Sequence, residues 1–408
     1  MTMPQSWSRL LLILFATSML LGSCKRNYST DAPIPAVYSP SIIIGSDNFV
    51  VYALDPSNGS KNWELALPCP LMASPLLYGN FVYLANSTRD TLYKVNAKTG
   101  EIVKKITYAG GGAGATATPV ADGNLIYLAS LNGSLYVIDT GAYTTKWTYA
   151  AGGSMLASPT VYLGNVYIAT TTGSIFCLEK TNGNPVATAA PAPTWSLNIP
   201  TARFVSSPAI CGTTPSTFLY IGSQSDSNMY SIWLDLPSTT TTGVIRWQYK
   251  TKGAILSSPT LYGGYCIFGC SDFKVYCIDT TLDIFNPGAG PEPKWIDSSM
   301  HSEVTSSPYA VNQVIYVGCK DYKLYALNML DGRAKWAFAT SGVITSSPVV
   351  YKGSVYVGSF DKNIYAIDTA KGTLKWSKNV NGQIECSPVI DDFSQLKGYN
   401  SSVSGYVN

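Results

Sequence analysis

Charge is scarce in this chain. Asp, Glu, Lys and Arg make up 12% of its 408 residues, and the formal net charge is +3. No cluster of Lys and Arg could track a phosphate backbone, so nucleic acid is not an expected partner. Histidine occurs once, at position 301, which leaves no confident Ser/His/Asp or Cys/His constellation for nucleophilic catalysis. Long helical patterns are missing as well. Of the nine cysteines no two are adjacent, and Cys266, Cys270 and Cys277 have a spacing that matches no common zinc motif. No catalytic, cofactor-binding or metal residue is assigned on these grounds.

Apolar residues, in contrast, make up 46% of the chain, and tyrosine occurs 28 times. They fall into short runs. From Ser346 to Trp376 the sequence reads SSPVVYKGSVYVGSFDKNIYAIDTAKGTLKW. Four runs rich in Val, Ile and Tyr, punctuated by Gly, Asp and Asn, predict four antiparallel strands. The preceding unit, SSPYAVNQVIYVGCKDYKLYALNMLDGRAKW, repeats the pattern, and Pro308 and Pro348 stand 40 residues apart. Four strands at that period are the signature of a propeller blade.

Ser/Thr-Pro marks at prolines 75, 119, 159, 208, 259, 308, 348 and 388 count eight blades. Tryptophans 63, 147, 195, 247, 295, 336 and 376 answer in seven of them, and Val103 takes the place in blade two. Their expected role is packing one blade against the next, not forming a cofactor box. Blade one starts partway, at Ser41 on its second strand, and its missing first strand is expected from Ser387 to Ile390. The predicted fold is therefore all-β: an eight-bladed β-propeller over 41–391, its ring closed by the C-terminal strand joining blade one.

Asp226, Asp272, Asp321 and Asp361 share one position ahead of the third strand. Such alignment suits a calcium or catalytic ring, but Asp also favours tight hairpin turns, and Asn132 and Thr172 hold the same place. Turn chemistry is the expected role. The turns Asp55 to Gly59, Asn96 to Gly100, Glu179 to Gly183, Asn328 to Gly332 and Asp368 to Gly372 read the same way. Cys177 and Cys277 stand in the slot of Ala326 and Ala366, and Cys270 and Cys319 in that of Ser359, as small packed side chains.

Successive prolines are spaced 44, 40, 49, 51, 49, 40 and 40 residues apart. In blades four to six the extra residues before tryptophan lengthen the turn from third to fourth strand. Three adjacent blades would then carry a raised rim on one face, where binding is usually placed; neutral loop growth is the equal alternative. Blade two adds Gly110 to Gly114 instead, on the opposite face.

At the N-terminus, Arg9 precedes an apolar run from Leu10 to Leu21, too short for a stable span but right for a signal peptide. It ends in Leu21-Gly22-Ser23-Cys24, which resembles a bacterial lipobox. The expected organisation is a signal peptide over 1–23, a tether over 24–40 lipidated at Cys24, the propeller, and a C-terminal tail over 392–408. Lys25 after the cysteine, where an Asp would favour inner-membrane retention, points to the outer membrane, on its periplasmic or surface side. An acylated chain is anchored to the membrane without spanning it.

The repeat resembles the PQQ-like propeller family, whose pattern contains GxVYVGSxDxxLYALDxxTGxxKW, and the match covers residues 41–391. The resemblance implies two branches. Quinoprotein dehydrogenases use the fold to hold a quinone and calcium; BamB-type lipoproteins use it as a scaffold in outer-membrane protein assembly. A catalytic Asp, a calcium-binding Glu/Asn set and a vicinal cysteine pair, which the enzyme branch implies, have no match here. The reading is a non-catalytic envelope lipoprotein with protein partners and no cofactor. The alternatives are a PQQ-dependent dehydrogenase and a surface-anchored propeller that binds glycan or another ligand.

Overall fold

The computed structural model describes residues 40–109, 111–181, 195–212, 216–236, 241–282, 286, 288, 290–392 and 399–400. The signal peptide, Cys24, most of the tether, most of the blade-four insertion, with Gly183, and part of the blade-six insertion lie outside them. Every blade is built like blade eight. Its strands Val349–Tyr351, Ser354–Gly358, Asn363–Asp368 and Leu374–Asn379 pair antiparallel in chain order. Eight such sheets are present, with no helix among the described residues.

Blade one is completed as its missing strand requires. Val389–Asp391 pairs with Ser41–Gly45, placing Ile390 opposite Ile42 and Val389 opposite Ile43. Tyr399–Asn400 adds a short fifth strand on the free edge of Val389–Asp391. First strands of neighbouring blades touch in an unbroken cycle, and Val389–Asp391 meets both Val349–Tyr351 and Leu76–Tyr78. The first strands therefore form the inner wall of the ring.

The core is not one mass but eight wedges, each shared by two successive blades. Side chains alternate across a strand. Ile42 and Ile44 therefore face blade eight, beside Tyr356 and Ile364, while Ile43 faces blade two, beside Val82 and Leu84. Inner strands buried on both faces need apolar residues at every position, which is why they read as continuous runs. A single blade would expose both apolar faces, so stability belongs to the array.

Candidate functional site: bond rings and the turn face

The polar marks of the repeat join blade to blade. From Thr118 round to Ser387, the backbone N–H of the residue before each recurring proline donates to the hydroxyl of its counterpart in the next blade. Seven such bonds, at 2.9–3.0 Å, run in one direction and cross the closure at Ser387 N to Ser74 Oγ. One residue earlier, the hydroxyls of Ser206, Ser257, Ser306 and Ser346 accept from Gly222, Gly269, Gly318 and Gly358 of their own blades at 2.9–3.2 Å. In blade one this place belongs to Cys386, whose Sγ accepts from Gly45 N and donates to Gly45 O, each at 3.2 Å.

A second connection links the tryptophans to the turns that the sequence shows separately. Nε1 of Trp63, Trp295, Trp336 and Trp376 donates at 2.8–3.0 Å to a carbonyl in the next blade's turn: Ala97, Met329, Thr369 and Pro56. Each ring also covers the turn glycine so closely that a Cβ on Gly100, Gly332, Gly372 or Gly59 would fall 2.5–2.7 Å from a ring atom. These glycines have φ of +66 to +74°, which L side chains rarely adopt, so steric space and backbone both demand glycine. The tryptophans thus act in packing, and blade eight locks onto blade one through Trp376.

Blade two departs from this, and not as counted from the sequence. Across its outer strands Lys94 pairs with Lys104, whereas the matching pairs elsewhere include Ala53 with Trp63 and Ala366 with Trp376. The tryptophan place therefore belongs to Lys104; Val103 is the extra residue of a β-bulge. Counting four residues on from the turn glycine, as from Gly59 to Trp63, finds Lys104. At this interface the aromatic comes from the other side. Tyr143, at φ 58° in the glycine place of blade three's turn, lies beside Lys94 Nζ (5.0 Å from the ring centre) and Lys104 Nζ (5.4 Å).

The four aligned aspartates are turn devices. Tyr230, Tyr276, Tyr325 and Tyr365 donate their hydroxyls to Oδ2 of Asp226, Asp272, Asp321 and Asp361 at 2.6–2.7 Å. The same Oδ2 accepts a backbone N–H from Lys252, His301 or Ser341 in three of the blades. Burial first, and then the bonded carboxylate, push these tyrosine hydroxyls well above the usual phenol range. The cysteines are likewise occupied. Sγ of Cys270 and Cys319 donates to Gly253 O and Ser302 O, as Ser359 Oγ does to Val343 O. Burial raises the thiols of Cys177, Cys270, Cys277, Cys319 and Cys386 to about 12, so they stay protonated and unreactive. All eight described cysteines are free thiols.

These donors do not fit a quinone with calcium. The aligned carboxylates already receive hydroxyl and N–H donors. Among the described residues no group of three His, Cys, Asp or Glu side chains could hold a metal ion.

The insertions are not a free rim where they are described. In blade five, Thr241 O accepts from Ser196 N and Gly243 N donates to Ser196 O, alongside the outer strand of blade four. In blade six, Asn286 N donates to Arg246 O on the outer strand of blade five. Both segments reach back to cover a sheet edge, which would otherwise offer unpaired backbone groups.

The opposite face is made by the turns from second to third strand. In most blades one residue of this turn has φ between +56 and +84°, and its carbonyl accepts from the end of the fourth strand: Gly133 from Ala151, Gly173 from Ile199, Tyr322 from Thr340, Lys362 from Val380. The backbone fixes this conformation whatever the side chain. Blades three and four use glycine. Blades six, seven, eight and one use Phe273, Tyr322, Lys362 and Phe49, and the three aromatics are 45–50% exposed. A bulky residue in this region costs about 1–3 kcal/mol.

The family model described as "Outer membrane protein assembly factor BamB" matches residues 23–105, 104–214 and 237–395. The chain belongs to the BamB family of PQQ-like propellers. Among solved structures, BamB from Moraxella catarrhalis is similar with a TM-score of 0.58 and 18% identity, over 78% of this chain and 88% of that one. A europium-containing methanol dehydrogenase is similar with a TM-score of 0.60 and 12% identity, over 78% and 81%. At these identities the likeness is one of fold. Tetrathionate hydrolase of Acidithiobacillus ferrooxidans is 24% identical over 180 residues, 37% of this chain; the match spans 36% of that relative's length. The family fold thus occurs in proteins named as an assembly factor and in proteins named as enzymes.

Proposed function

We propose that this BamB-family chain is a non-catalytic envelope lipoprotein, held at the outer membrane through Cys24, that serves as a protein-interaction scaffold in outer-membrane protein assembly. The observation that carries the reading is the BamB family match over most of the chain. Its polar side chains support it, because serines, aspartates and cysteines that could do chemistry are bonded into the blades. The enzyme reading draws on the partial match to tetrathionate hydrolase and the fold of the methanol dehydrogenase.

In-cell crosslinking followed by mass spectrometry separates the two. Recovery of outer-membrane assembly proteins supports the scaffold; quinone- and calcium-dependent oxidation without such partners overturns it. Cys24→Ala is expected to release the protein from the membrane pellet, and its retention there would overturn the anchor.

A further inference from the structure

We infer that the ring opens first at the junction of blades two and three, away from its chain ends, with the glycine connector after Tyr108 as the hinge. This opening is a property of the ring and does not depend on the scaffold reading.

Two kinds of fastening hold each blade to the next. The inner one is the bond from N–H to hydroxyl at the recurring proline, and it spans seven junctions. The outer one differs from seam to seam. Tryptophan bonds serve between blades one and two, six and seven, seven and eight, and eight and one. Between three and four, the Tyr127 hydroxyl donates to Lys180 O at 3.0 Å, and Lys180 pairs with Asp122 at 2.6 Å. Between four and five, Ser196 exchanges backbone bonds with Thr241 and Gly243. Between five and six, Arg246 donates to Thr280 O at 3.3 Å.

The junction of blades two and three is the one without the inner bond: Ser74 and Thr118 are both buried there, yet Ser74 N does not donate to Thr118. Its outer fastening is Thr145 Oγ1 on Tyr108 O at 3.0 Å and Lys94 Nζ on the Tyr143 hydroxyl at 3.3 Å. Lys94 is a poor fastener. It is 7% exposed, its Nζ lies 4.1 Å from the centre of the Phe81 ring, and it has no ion pair among the described residues. Lys104 brings a second positive charge to the same Tyr143 ring. Burying an unpaired charge offsets what the ring contacts contribute. The Tyr108 hydroxyl is also buried in the shared wedge without a partner. Trp147 and Trp247 leave Nε1 unpaired too, but their seams keep the inner bond.

The apolar wedge is intact, with Leu92, Ile126, Leu128 and Ile138 fully buried, so the ring is closed at rest. What is reduced is the polar fastening, and the least fastened unit opens most often. The chain at this seam can follow. Gly111 and Gly112 are exposed, and a Cβ on Gly112 would meet no atom within 4 Å. Asp90 holds the connector, Oδ2 accepting from Gly112 N at 2.5 Å and Oδ1 from Gly114 N at 3.2 Å. Blade one, where the chain ends meet, is fastened twice on each side. Ser347 N to Ser387 and Trp376 hold it to blade eight; Ser387 N to Ser74 and Trp63 hold it to blade two.

The test labels thiols of the folded protein with N-ethylmaleimide and reads each site by peptide mass spectrometry. Native probes already stand in other wedges: Cys177 between blades four and five, Cys266 between five and six, Cys277 between six and seven, and Cys386 between eight and one. Ala85→Cys adds a probe between two and three. Ala169→Cys, at the same strand place but between four and five, controls for the added sulfur. Position 85 should label about tenfold faster than position 169 and the four native thiols. Adding Lys94→Val, Lys104→Trp and Tyr143→Gly builds the tryptophan lock of the other seams, and should slow position 85 to the rate at 169. Should that variant not fold, Thr145→Val, which removes the bond to Tyr108 O, should quicken labelling at position 85 alone. Equal labelling at 85 and 169 overturns the proposal, as does a Thr145→Val protein in which position 85 labels no faster. Faster labelling at Cys386 than at position 85 would place the opening at the chain ends and overturn it as well.

Discussion

In blades two, three and four, the second residue before the recurring proline is alanine: Ala73, Ala117 and Ala157. The second strand ends opposite in another alanine: Ala85, Ala129 and Ala169. In blades five to eight the same pair is serine and glycine, joined by a hydrogen bond. The difference extends into the neighbouring blade. Ile255, Val304, Ile344 and Ile384 lie against Gly222, Gly269, Gly318 and Gly358, and a Cβ on any of these glycines would stand 2.2–2.4 Å from a branch methyl. Behind the alanines come Ala115, Met155 and Phe204, none of them branched at Cβ. A methyl group is thus placed on one side of the wedge or the other, not on both, as close packing requires. Blade one takes the glycine form with a thiol, using Gly45, Cys386 and Leu71, which is not branched at Cβ.

The most severe way to break this comparison is to remove the blade that joins the two arcs. Deleting residues 387–408 removes the inner strand of blade one, the Ser387–Ser74 bond and the register with Ser41–Gly45. Cooperative unfolding is expected to be lost or its midpoint sharply lowered in a calorimetric scan. An unchanged midpoint would mean that the ring does not depend on its closure.

A narrower test exchanges one arc's solution for the other's. Gly318→Ala sets a methyl group against Ile344 and should destabilise by about 1–3 kcal/mol, the usual cost of overpacking. Adding Ile344→Met recreates the Ala129–Met155 arrangement and should restore part of the loss. A double-mutant cycle in urea reads the coupling. Additive effects would show that the two positions do not share the space.

The smallest effect sharpens the contrast between hydroxyl and thiol. Burial raises Cys386 from an ordinary 9.0 to about 12. The unfolded thiol loses its proton first, so the contribution is fully present below pH 9 and declines as pH rises towards 12. Cys386→Ser should keep the bond to Gly45 and flatten the fall in melting temperature over that window. An identical slope in the variant would assign the alkaline loss to the other buried thiols and tyrosines.

The blade count, the donor of the missing strand, the packing role of tryptophan and the turn role of aspartate were all legible in the sequence. Each rests on a local rule repeated many times. Features that couple two blades were harder to read, because their partners lie roughly 25 to 50 residues apart or in distant parts of the chain. Nothing local ties Trp336 to Gly372, or Gly318 to Ile344. Blade two was misread for a related reason: a bulge sets two residues against one, so the tryptophan place moves from Val103 to Lys104. The insertions read as a rim because their length was visible and their hydrogen bonds to the preceding blade were not. The exposed aromatics were visible as letters, yet only the φ angle shared with Gly133 and Gly173 makes them unusual.

The one-way ring of bonds from Thr118 to Ser74 has a consequence for how such a chain can be cut and rejoined. Seven of the eight junctions between blades carry such an N–H, those on both sides of blade one included, so the blade built from two distant segments is joined like the others. Linking residue 391 to residue 41 and opening the chain instead between Ala339 and Val349 would leave the same donors facing the same acceptors. The order of the blades is a circle, and the place where synthesis begins is only one of eight points at which that circle can be entered.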